Sequence, residues 1–129
     1  MKKTIFSLLA TLAVLGTTAA SSGRPEVAHL VLTVASVDGS WSDEVVLSCP
    51  GEPGVGHPHR EAACADLQAV GGVLDVLYAL PADSGTCLSS NDPVVATAKG
   101  TYRGIPVDWT RSYENGCMMR ADTASLFVF

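Results

Sequence analysis

Ala62-Ala63-Cys64-Ala65-Asp66-Leu67-Gln68-Ala69-Val70-Gly71-Gly72-Val73-Leu74-Asp75-Val76-Leu77-Tyr78-Ala79-Leu80 is the stretch on which the fold reading turns. Ala63, Leu67, Val70, Leu74 and Leu77 recur at intervals of 4, 3, 4 and 3. That spacing puts them on one apolar stripe of a 3.6-residue helix and predicts a main helix over residues 62–80. Gly71 and Gly72 sit in its interior, where each disfavours helix by about 1 kcal/mol relative to alanine. They point to a break or to a close approach of helix and sheet. Pro81 ends the segment.

Both flanks read as β. Val27, His29, Val31 and Thr33 alternate with Ala28, Leu30, Leu32 and Val34, a strand apolar on both faces and suited to the middle of a sheet. Asp38-Gly39-Ser40 breaks it, and residues 41–49 form a second strand ending at Cys49. Residues 50–58, rich in proline and glycine, can be neither helix nor central strand. After the helix, residues 94–102 and 105–113 flank Arg103-Gly104 as a hairpin, and residues 125–129 read as a terminal strand with Phe127 and Phe129 on one side. Strands, one helix, then strands predicts an α+β fold, an antiparallel sheet packed against one main helix.

The chain has 129 residues, 47% hydrophobic and 16% charged, enough for one compact domain and too apolar for a disordered tail. A formal charge of −5 with no basic run argues against a nucleic-acid partner. Lys2 and Lys3, an apolar run over residues 5–15 and the small residues up to Ala20 have the layout of a secretory signal peptide. The run is short for a bilayer, so no membrane partner is expected. The expected organisation is a signal peptide over residues 1–20 and one domain over residues 21–129, secreted and extracellular. Export fits four cysteines, Cys49, Cys64, Cys87 and Cys117. An even number in an oxidising compartment predicts two disulfides, and spacing alone allows three pairings.

Two other site chemistries fit the residues poorly. Cys49, His57, His59 and Cys64 are ligand types for zinc, but they lack a Cys-x-x-Cys pair and lie in a chain bound for oxidation. No metal and no cofactor is expected. Asp83-Ser84-Gly85 with His57 or His59 could suggest a serine hydrolase, yet no Gly-x-Ser-x-Gly elbow is present and the scaffold is small for triad, oxyanion hole and cleft. The reading is therefore not an enzyme. More informative is the polar stretch after Cys87, closed by Pro93: an exposed loop restrained at a cysteine, able to enter a protease cleft as an added strand.

Several motifs converge on one family. Leu47-Ser48-Cys49-Pro50-Gly51, Gly56-His57-Pro58 leading to the block Ala63-Cys64-Ala65-Asp66-Leu67 through Gly71-Gly72, Asp92-Pro93-Val94 after Cys87, Asn115-Gly116-Cys117 and the closing Ser125-Leu126-Phe127-Val128-Phe129 occur in this order. From about Val27 to Phe129 the chain resembles the subtilisin inhibitor-like family, the secreted serine-protease inhibitors of the Streptomyces subtilisin inhibitor type. The resemblance implies a sheet of about five strands against one main helix, and disulfides joining Cys49 to Cys64 and Cys87 to Cys117. It places the reactive bond between Ser89 and Ser90, with Thr86, Cys87, Leu88 and Asn91 as flanking contacts, and gives Asn115, beside Cys117, the support of the loop. It further implies a homodimer that pairs through a sheet face. The expected partner is a secreted serine protease.

Two positions depart from the family. Methionine, lysine or arginine is usual where this chain has Ser89, and proline is common where it has Leu88. Each methylene missing from a primary pocket forfeits about 0.8 kcal/mol, so subtilisin-like or elastase-like enzymes are the expected targets and trypsin is not. The alternative is a non-inhibitory exported binding or envelope-associated domain on the same scaffold.

Overall fold

The computed structural model describes residues 26–82 and 85–129. The expected signal peptide therefore lies outside the described residues, as do Asp83 and Ser84 of the hydrolase reading. Strand β1, Ala28–Ser36, turns back into β2, Ser42–Cys49. Helix α1, Arg60–Ala69, and a 3₁₀ helix, Leu74–Ala79, precede the hairpin of β3, Val94–Tyr102, and β4, Ile105–Tyr113. Helix α2, Gly116–Thr123, follows. The four strands form one antiparallel sheet in the order β2-β1-β3-β4.

Strand alternation sorts the sheet into two faces. Ala28, Leu30, Leu32 and Val34 of β1 point into the core and are matched across the ladder by Leu47 of β2 and by Ala96 and Ala98 of β3. Onto this face pack Ala63 and Leu67 of α1, Leu74 and Leu77 of the 3₁₀ helix, Met119 of α2, and Leu126 and Phe127 from the C-terminal segment. The opposite face carries His29, Val31, Thr33 and Ala35 of β1 and Val46 of β2, all partly or fully exposed. The central placement of β1 agrees with its apolar pattern, although burial is complete on one face alone.

The helix expected over residues 62–80 is two pieces. Gly71 and Gly72 adopt positive φ, 60° and 78°, and end α1 before the 3₁₀ helix begins. Both effects foreshadowed by the glycines are present, because a Cβ on Gly72 would collide with the Tyr102 ring. The apolar stripe survives the break, and Ala63, Leu67, Leu74 and Leu77 all reach the core.

The expected strand over residues 125–129 is absent. Ala124 takes φ 50°, the chain reverses after α2, and the last residues bond locally, Leu126 N–H to Thr123 O at 3.1 Å and Val128 N–H to Ser125 O at 3.4 Å. Asp66 Oδ2 of α1 accepts from Ser125 N–H at 2.9 Å. Phe127 and Phe129 do lie close, with ring centroids 6.2 Å apart, but as a plug beneath the sheet. The sheet among the described residues accordingly has four strands rather than about five, and α2 occupies residues to which the sequence pattern assigned no element.

Candidate functional site: a loop stapled to the start of a helix

Residues 85–93 cross from the 3₁₀ helix to β3 without regular structure. Cys87 is half-buried, and its neighbours Gly85, Thr86, Leu88, Ser89, Ser90, Asn91, Asp92 and Pro93 are exposed, Leu88 to 83%. An extended stretch this exposed needs outside partners to hold a single conformation.

Those partners come from one short segment, residues 114–117, at the start of α2. Cys87 is joined to Cys117 by a disulfide. Asn115 Nδ2 donates to the carbonyl oxygen of Ser90 at 3.0 Å. Asp92 N–H donates to Glu114 O at 3.1 Å. The peptide bond between Ser89 and Ser90 thus lies between a covalent staple two residues before it and two hydrogen bonds after it.

Asn115 does two things at once. It is the N-cap of α2 in extended geometry, and its Oδ1 accepts from Met118 N–H at 2.9 Å, satisfying an otherwise orphaned helix donor. The same amide's Nδ2 holds Ser90, and the side chain is 4% exposed, so both bonds are shielded from water. Cap and loop contact fix each other's orientation.

On its far side the loop rests on the first hairpin. Val37 N–H, just past β1, donates to Pro93 O at 3.1 Å. Beneath the loop lies an open groove whose walls include Trp41, Asp43, Ser90, Asp92, Arg120 and Phe129. Glu114 and Val37 act through backbone atoms, to which side-chain identity gives no clue, and sequence reading missed both. Trp41, expected as the first residue of the second strand, instead lies one residue before β2.

The second disulfide joins Cys49 to Cys64 and closes the proline-rich loop onto α1. Both cysteines of the zinc set are consumed in it, leaving no thiolate to ligate a metal. Its two histidines are not equivalent either. His57 is buried, donates from Nε2 to Leu126 O at 2.8 Å, and accepts at Nδ1 from His59 N–H at 3.0 Å. Burial lowers the pKa of His57 below its ordinary value, partly opposed by the Leu126 carbonyl and aided by His59. It is a structural imidazole, needed neutral, that ties the proline loop to the C-terminal segment.

Known proteins resemble this chain in sequence and in fold. The family model described as subtilisin inhibitor-like matches residues 26–115. A subtilase-type protease inhibitor of Streptomyces fradiae is 36% identical over 132 residues, covering 98% of this chain and 92% of its own length. A trypsin inhibitor of Streptomyces longisporus is 38% identical over 104 residues, 78% of this chain and 71% of its own. Among solved structures, Streptomyces caespitosus sermetstatin in complex with Bacillus licheniformis subtilisin superposes with a TM-score of 0.59 at 31% identity, over 78% of this chain and 97% of that one. With the family model covering residues 26–115, which include the four strands and the loop, and a relative 36% identical over 98% of the chain, the chain belongs to the subtilisin inhibitor-like family.

Proposed function

We propose that the protein is a secreted inhibitor of serine endopeptidases of the subtilisin-like or elastase-like kind, acting as a substrate that its target cleaves and reseals. The observation that carries this reading is the double tether of the loop. If a protease serine attacks the Ser89 carbonyl carbon, the bond to the Ser90 nitrogen breaks, an ester forms on Ser89, and the amine of Ser90 is the leaving group. Cys87 holds the acyl side to Cys117, while Asn115 and Glu114 hold the amine side through Ser90 and Asp92. Both new ends stay anchored to the same four residues, so the amine remains at high effective concentration and resealing outpaces attack by water.

Ser89 enters the primary pocket in this reading, and Thr86, Cys87, Leu88, Ser90 and Asn91 line the cleft. Leu88, almost fully exposed, is free to fill an apolar neighbouring pocket. The sermetstatin–subtilisin complex and the names of the relatives support a serine protease as partner. Residues 1–20 would be removed on export, leaving residues 21–129, and the protein would pair as a homodimer through the outer face of its sheet, away from the loop.

Titration of the oxidised protein lacking residues 1–20 against subtilisin, elastase, chymotrypsin and trypsin tests the reading. Stoichiometric loss of subtilisin or elastase activity, with slow cleavage confined to the bond after Ser89, is expected. Inhibition with cleavage elsewhere would move the reactive bond, and absence of inhibition across the panel would favour a binding domain on the same scaffold.

A further inference from the structure

The end of the molecule that carries the loop also carries the turn between β1 and β2, and that turn is unusually well fixed. Ser36 clamps it: Ser36 N–H donates to Trp41 O at 3.0 Å, Trp41 N–H donates to Ser36 Oγ at 3.1 Å, and the hydroxyls of Ser36 and Ser40 lie 3.1 Å apart. Asp38 Oδ1 accepts from Ser40 N–H at 2.9 Å. The Ser40 amide and the hydroxyls of Ser40 and Ser36 hold the Asp38 carboxyl down to about 2, so this acceptor stays ionised at any pH of interest. The bond from Val37 N–H to Pro93 O then ties the turn to the loop at the end beyond Ser90.

On this rigid mount sit two apolar side chains that are partly exposed. Trp41 is 43% exposed and Val37 56%. Trp41 walls the same open groove as Ser90 and Asp92, the residues on the amine side of the proposed reactive bond. Leu88 occupies the acyl side. An exposed indole on a locked backbone has little entropy left to lose on burial, and tryptophan is among the residue types that most often carry interface energy.

We infer that Trp41, with Val37 beside it, is a second specificity-determining contact, meeting the protease surface on the leaving-group side of the bond between Ser89 and Ser90. The inference rests on the inhibitory reading above and adds a partner feature to it, an apolar rim on that side of the protease cleft. Two considerations favour such a contact. Ser89 brings little apolar area to the primary pocket, so the anchoring found elsewhere at that position has to come from another place. A protease–inhibitor interface also covers about 800 Å² on each partner, and the surface rigidly continuous with the loop on its amine side is this turn.

The test compares inhibition of subtilisin and elastase by the oxidised protein and by Trp41→Ala, Trp41→Phe, Val37→Ser and Ser89→Pro, each first checked for an unchanged thermal transition. Trp41→Ala is expected to weaken inhibition roughly tenfold or more through faster dissociation, Trp41→Phe less, and Ser89→Pro completely. Protein labelled with 5-fluorotryptophan gives a second readout that does not depend on any variant folding. Of its two indole ¹⁹F signals, that of Trp41 should shift on adding protease while that of Trp109 stays. Unchanged inhibition by Trp41→Ala and an unmoved Trp41 signal, with Ser89→Pro inactive, would overturn the second contact and leave the inhibitory reading standing. Indifference of inhibition to Ser89→Pro, or absence of inhibition by the parent protein, would overturn both.

Discussion

Asn115 joins two tasks that a single atom change can separate. Replacing it with aspartate keeps an oxygen to accept from Met118 N–H and removes the donor to Ser90 O. Asn115→Asp should therefore keep most of the stability and be cleaved faster after Ser89 by a target protease. Asn115→Ala, which loses the cap as well, should also lose about 1 kcal/mol in urea unfolding. Ser89 determines selectivity in the same reading. A cation there can pair with a buried carboxylate, an interaction of about 1.5–3 kcal/mol, so Ser89→Lys should improve inhibition of trypsin by roughly tenfold to a hundredfold. His57 sets a pH response. Its pKa in the folded protein lies below 6.5 because burial disfavours the cation, so the unfolded chain binds the extra proton first. The neutral imidazole's contribution is fully present above pH 6.5 and declines as pH falls from there toward the lowered native value. Protonation would also remove the acceptor for His59 N–H. The thermal midpoint of the parent should drop more between pH 7 and pH 5 than that of His57→Gln, which lacks the titrating group.

At the scale of elements, the break between α1 and the 3₁₀ helix is set by one contact. Gly71 and Gly72 have similar positive φ, but a Cβ on Gly71 meets nothing within 4 Å, whereas one on Gly72 runs into the Tyr102 ring. Gly71→Ala should cost about 1–2 kcal/mol from backbone strain alone. Gly72→Ala adds overpacking and should cost about 2–5 kcal/mol, measured by denaturant unfolding. The contrast shows why the stripe Ala63, Leu67, Leu74, Leu77 could be read correctly while the helix carrying it was not. Periodicity reports which side chains face the core, and a break that preserves the phase leaves that report intact. The closing segment misled for the opposite reason. Phe127 and Phe129 alternate as in a strand, but Ala124 turns the chain inward, and Ser125 finds its acceptor on Asp66 of α1.

Across the whole molecule the two disulfides do different work. The bond between Cys49 and Cys64 spans 15 residues and secures the proline loop to α1, whereas that between Cys87 and Cys117 spans 30 and joins the loop to α2. By the chain-entropy account the second contributes roughly 3–4 kcal/mol. The pair Cys87→Ser and Cys117→Ser should lose about that much in unfolding and, where it remains folded, turn from inhibitor into substrate. The sheet's outer face offers the surface proposed for pairing. Placing a charge at Val31, in register with Val46, should shift the protein from dimer to monomer in light scattering while leaving inhibition intact.

What the sequence determined by itself is what local pattern and covalent chemistry can carry. Strand β1 and the apolar stripe follow from periodicities of 2 and 3.6, β2 and the β3–β4 hairpin follow from apolar runs bounded by turn residues, and the family follows from the resemblance of its cysteine, proline and glycine motifs. The pairing of the cysteines, left three ways open by spacing, came from resemblance and is the one observed. Tertiary structure decided whatever depends on backbone atoms of distant residues. Glu114 O, Pro93 O and Leu126 O are acceptors that every residue type offers alike, so the grip on Asp92, the seating of Val37 and the partner of His57 had no signature in the chain. The exposure of Trp41 in the groove it shares with Ser90 belongs with them, because residues far apart in the chain come to line one groove when β1 and β3 pair.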